Sequence, residues 1–69
     1  MAKPLISEGS CKAMCNFIRR GEFEKARMIQ GNYPRVYSIT QTLEISKALE
    51  IIGKKHNLDL AGLIKSWIG

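Results

Sequence analysis

The sequence predicts an all-α fold: a small four-helix single domain built as a helical hairpin, a Tyr/Pro loop, a long third helix and a short C-terminal helix. Three observations carry this. Apolar residues recur at three- and four-residue spacing along most of the chain, no segment keeps the two-residue alternation of a strand, and glycine, asparagine and proline fall between the periodic stretches. A length of 69 residues allows one domain, spanning 1–69, and a composition of 45% hydrophobic and 25% charged residues belongs to a chain that folds.

Residues 1–9 are expected to be a flexible N-terminal segment. The first helix is predicted over 10–20, where Cys11, Met14, Cys15 and Ile18 share one face. Ser7 or Ser10 is suited to cap it, and Gly21 to stop it in the left-handed conformation. Helix two follows over 22–30, with Glu22 and Glu24 complementing the positive end of its dipole and Phe23, Ala26 and Ile29 facing inward. Gly31-Asn32-Tyr33-Pro34 ends it, because proline disfavours helical geometry at the residue before it. Ser38 and Gln41 have the spacing of a capping box for helix three, with Thr40 as a second possible cap. Its stripe runs Ile45, Ala48, Leu49, Ile52 and His56. Asn57 is placed to close it, and Asp59 to cap helix four over 60–68, which carries Leu60, Leu63, Ile64 and Trp67 on one face. Phe17, Met28, Leu43 and Ile51 lie off these stripes and are either core or a partner surface.

Charge narrows the function. Eleven basic against six acidic residues give +5, and the excess is uneven: residues 1–35 hold seven basic and three acidic groups, residues 36–69 four and three. All four arginines lie in the first half. Arg19, Arg20, Lys25, Arg27 and Arg35, with Tyr33 and Tyr37 beside the proline loop, are the candidate contacts to an anionic or protein surface; the alternative for the two tyrosines is a lid on the edge of the core. No apolar run reaches membrane-span length, and the N-terminus lacks a signal-peptide stretch, so a cytoplasmic protein without membrane contact is expected.

Catalysis is not expected. The single histidine, His56, falls on an apolar stripe, no glycine-rich phosphate loop occurs, and the carboxylates form no motif. Cys11 and Cys15 stand four apart on one helical face. A closed zinc site wants four ligands, so it would need an uncommon carboxylate or a partner's ligand beside them; buried free thiols, with no metal and no cofactor, are the expectation.

Two short resemblances remain. The run Arg20-Gly21-Glu22-Phe23-Glu24-Lys25-Ala26 resembles the turn of a tetratricopeptide-type repeat, an architecture that stacks about three copies where this length holds at most two. Residues 53–67 resemble a helix-turn-helix, within a degenerate form spanning 45–68. Gly53 is the small residue of its first helix, Asn57 stands at the turn, and Leu58 and Leu63 follow. The resemblance implies DNA binding, with Lys54, Lys55 and Lys65 as phosphate contacts. Leu60, Ala61, Gly62 and Ile64, however, stand where base-reading donors are required.

The expected function is therefore a non-enzymatic regulator or inhibitor that covers a surface of a larger protein, of the kind small phage and plasmid genes encode. The alternative is a basic nucleic-acid-binding regulator. A homodimer is compatible with both.

Overall fold

The computed structural model describes residues 6–33 and 36–68. Four helices follow in order: α1 (Glu8–Arg19), α2 (Phe23–Gly31), α3 (Ile39–Lys55) and α4 (Leu60–Trp67), with no strand among the described residues. The fold is all-α.

Local sequence sets each boundary. Ser7 caps α1 by accepting from the Ser10 amide at 3.2 Å, so the helix begins two residues before the predicted start. Ile6 and Cys11 hold the flanking positions of a hydrophobic staple, and both are buried. The Gln41 side-chain Nε2 donates to the Ile6 carbonyl at 2.6 Å, tying this entry to α3. Residues 6–9 thus depart from the expected flexible segment: a buried isoleucine, a cap and a first helical turn hold them. Residues 1–5 lie outside the described residues.

Both hairpin turns close with the same hydrogen-bond pattern. Gly21, at φ +77°, lets the Glu22 amide reach the Phe17 carbonyl at 2.9 Å and its own amide reach Ile18 at 3.0 Å. This is a Schellman closure, and it turns α2 back against α1. At the end of α3, Asn57 takes the same left-handed conformation, φ 52°, and the Leu58 amide donates to the Gly53 carbonyl at 2.8 Å. The turn carries His56 out of the helix as its exposed C-terminal cap, which corrects its expected place on the buried stripe.

Ser38 and Gln41 form both halves of the capping box, with the Gln41 amide 3.1 Å from the Ser38 hydroxyl and the Ser38 amide 3.0 Å from the Gln41 side-chain oxygen. Thr40 is not a cap. Asp59 stands at the N-cap of α4 without a side-chain hydrogen bond to the helix. Its carboxylate lies over the first turn, where a β-carbon on Gly62 would come within 2.7 Å of it. A negative charge there complements the helix dipole.

Packing runs α2, α1, α3, α4, with α1 wedged between α2 and α3, and α4 laid on α3. Cys11, Met14, Cys15, Ile18, Ala26, Ile45, Ala48, Leu49, Ile52 and Trp67 form the buried core with Ile6. Phe17 packs against it partly buried, which settles one of the residues off the stripes as core. Gly53 is buried where Leu60 and Leu63 of α4 lean on α3. The ends of the series are joined by side chains of α2 reaching α4. Phe23 of α2 lies 6.3 Å from the Trp67 ring, the Arg27 guanidinium sits 3.7 Å over that ring, and the Gln30 amide donates to the Trp67 carbonyl at 2.9 Å.

Candidate functional site

The residues predicted to contact a partner do not converge. Arg27 belongs to the α2–α4 junction: besides stacking on Trp67 it donates to the Gln30 side-chain oxygen at 2.7 Å and to the Ser66 hydroxyl at 2.6 Å. Arg20 and Lys25 both turn to Glu22, at 4.0 and 3.1 Å, and the Lys25 ammonium lies 5.7 Å over the Phe17 ring. Arg19 is exposed and donates to the Asn16 side-chain oxygen at 3.1 Å. Lys54 pairs with Glu50 at 2.9 Å, which draws the Glu50 carboxyl below its ordinary range. Lys55 and Lys65 are exposed on α3 and α4. These exposed ion pairs contribute little to stability.

Both tyrosines face the fold. The Tyr33 hydroxyl lies 3.3 Å from that of Ser10, and the Tyr37 hydroxyl accepts from the Gln30 amide at 3.0 Å; both rings pack partly buried on the core. Arg35, with Pro34, lies outside the described residues. Gln30 is thereby fully used, donating to Tyr37 and Trp67 and accepting from Arg27. A buried amide needs such partners.

Two other arrangements emerge. The first is the outer face of α3. Ile39, Leu43 and Ile51 are 83%, 56% and 52% exposed. At 100° per residue they fall, with Lys47, Glu50 and Lys54, within about 120° of one helix face, opposite the stripe that packs on α1 and α4. The periodicity had marked Leu43 and Ile51 as unplaced. Ile39 was missed because the first residue of a helix carries no periodic signal of its own, although it stands four before Leu43. Met28, also off the stripes, is 73% exposed on α2, away from this face.

The second lies along the seam between α1 and α3. The thiols of Cys11 and Cys15 and the carboxylate of Glu44 lie within 4.8 Å of one another, with the Cys11 thiol 3.9 Å from a Glu44 oxygen. Both thiols are buried, whereas Glu44 is half-buried. Hollows of about 190 and 260 Å³ flank the cluster. The first is lined by Glu8, Lys12, Ser38, Thr40 and Gln41 beside Cys11 and Glu44, the second by Lys12, Asn16 and Arg19 beside Cys15 and Glu44. Burial, with the neighbouring Cys15 and the Glu44 charge, pushes the Cys11 thiol up to about 12, and burial also raises Cys15. The sequence leads to buried free thiols without a metal, a site needing an uncommon carboxylate or a partner's ligand beside them. Glu44 is 29 positions from Cys15, so no spacing rule names it.

The raised thiol links stability to pH. In the unfolded chain Cys11 loses its proton near the ordinary 9.0, and in the folded chain only near 12. Its contribution is therefore whole below the unfolded value and is lost as pH rises toward the folded one. Chemical denaturation of chelator-treated protein is expected to show stability falling more steeply above pH 9.0 in the native chain than in Cys11→Ala. Parallel pH curves would contradict the burial of this thiol.

Comparison with protein-family models, curated proteins and solved structures finds nothing that matches this chain.

Proposed function

We propose that this protein is a non-enzymatic binding module that docks through the outer face of α3 onto an apolar, acid-rimmed surface of a larger protein, regulating or inhibiting it by covering that surface. The observation that carries the reading is the exposed row of Ile39, Leu43 and Ile51 on a helix whose opposite face is already packed. Full burial of such a side chain is worth roughly 1.5–3 kcal/mol, of which Ile39 forgoes most and Leu43 and Ile51 about half, and a partner recovers this by covering them. Lys47 shares the face with the Glu50–Lys54 pair, and Lys12 and Arg19 stand beside Glu44 at its edge, so the fitting partner surface is apolar with acidic groups opposite Lys47, Lys12 and Arg19. An interface of ordinary size takes about 800 Å² from each partner.

The nucleic-acid alternative has weaker support. Arg20, Lys25 and Lys54 are engaged with carboxylates and Arg27 with Trp67, while the helix that would enter a groove exposes Ala61 and Gly62. A photo-crosslinking residue at Lys47 identifies the partner, and binding to the purified partner is then measured. Leu43→Glu combined with Ile51→Glu is expected to weaken binding about 100-fold or more while leaving the helical spectrum intact. Unchanged affinity in that variant overturns the reading. Tight, steeply salt-dependent binding to oligonucleotides, with no crosslinked protein, favours the alternative.

A further inference from the structure

We propose that Cys11, Cys15 and Glu44 form a binding site for a thiophilic divalent cation, for which Zn²⁺ is the reference ion. Among the described residues this is the one group of three metal-ligating side chains drawn together, and it joins two helices. The i, i+4 spacing on α1 points both thiols to the same side, the geometry by which one helix supplies two ligands to one ion. Glu44 arrives from α3 across the seam.

The distances suit the ion. Zinc binds sulfur at about 2.3 Å and carboxylate oxygen at about 2.0–2.2 Å, so tetrahedral ligands lie about 3.5–3.8 Å apart. The three donors lie within 4.8 Å already, and a contraction of about 1 Å is within the reach of small side-chain rotations at both cysteines and at the longer glutamate. The donor set is selective as well, because two thiolates exclude magnesium and calcium, which take oxygen ligands. Three protein ligands leave a fourth position, and the flanking hollows provide space there for water and a path for the ion.

The ion must displace the protons that both buried thiols hold, so binding is expected to tighten as pH rises, and the charge of the loaded site can be balanced. Two thiolates and a carboxylate around a divalent ion carry a net charge of −1. Lys12 borders both hollows and Arg19 one of them, so positive charge is at hand to balance it. Without an ion, Glu44 gives the thiols only a weak sulfur contact of 3.9 Å. With one, the three groups cross-link α1 to α3, and stability rises with metal concentration.

The test uses the full chain after chelator treatment, titrated with Co²⁺ as a spectroscopic probe and then with Zn²⁺. Expected are one Co²⁺ per chain, a sulfur-to-cobalt charge-transfer band in the near ultraviolet, its displacement by Zn²⁺, and a Zn²⁺-dependent rise in melting temperature. Glu44→Gln, a change at a half-buried side chain that leaves both thiols in place, is expected to keep the band but lower affinity by about tenfold or more. Cys11→Ser and Cys15→Ser are each expected to lose most of the band. Absence of the band together with no Zn²⁺ effect on melting overturns the proposal. So does a Glu44→Gln affinity equal to the native one, or an ion shared between two chains.

Discussion

Trp67→Ala is expected to remove about 3–5 kcal/mol of stability, the usual cost of deleting a buried tryptophan side chain. A chain of 69 residues has roughly 3–10 kcal/mol in all, so the variant is expected to be largely or wholly unfolded without stabilising solutes. The reason is where the indole sits. It is buried, lies against Phe23 and carries the Arg27 guanidinium on its face, whereas the Trp67 backbone carbonyl, which the substitution keeps, accepts from the Gln30 side chain. Helix α4 has eight residues, too few to hold together in water without packing. Removing the ring takes the aromatic and stacking contacts out of the α2–α4 junction and leaves it with the hydrogen bonds from Arg27 and Gln30. Trp67→Phe keeps an aromatic face for Arg27 and is expected to cost clearly less. Denaturant unfolding followed by circular dichroism measures both, and a loss below about 1 kcal/mol for the alanine variant would contradict this assignment.

Leu49→Ala is expected to cost about 2–5 kcal/mol by the same logic of lost burial and residual cavity. Leu49 is fully buried on α3, the helix that packs against both α1 and α4, so the cavity opens in the middle of the molecule. The same helix supplies a matched control. Leu43 is the same residue type six positions away and 56% exposed, and Leu43→Ala is expected to change stability by about 0.5 kcal/mol or less. Equal losses at the two positions would mean that the outer face of α3 is packed within the free protein, and the docking proposal would fall with that result.

The helices were legible because each rests on local chemistry. The Ser38–Gln41 capping box, the left-handed Gly21 and Asn57, and the stripes from Cys11 to Ile18 and from Ile45 to Ile52 act within one or two turns of chain. The misreadings were equally local. His56 continued a periodic stripe on paper, but a helix that ends at Lys55 carries it out to solvent. The entry to α1 reads as flexible because Ile6 lies outside any periodic run, whereas Ile6 is buried and its carbonyl is held by the Gln41 side chain, 35 positions away.

The candidate contact residues were the least legible part. Sequence offers Arg27, Tyr33 and Tyr37 among the candidate contacts, with a core lid as the alternative for the tyrosines, and the fold gives each an inward partner: Trp67, Ser10 and Gln30. Residue type alone does not distinguish an arginine that meets a partner from one that braces a tryptophan. Conversely, the exposed face of α3 became a candidate only when its opposite face was seen to be filled.

By itself, then, the sequence determined the all-α class, the four helices and their order, the turns between them and most of the core, since propensity, capping and apolar period depend on neighbours a few residues apart. The tertiary structure alone decided that Glu44 meets Cys11 and Cys15, that Arg27 closes α2 onto α4, and that Ile39, Leu43 and Ile51 stay in water. Each of those depends on which helix faces which, a choice made by packing across the whole chain.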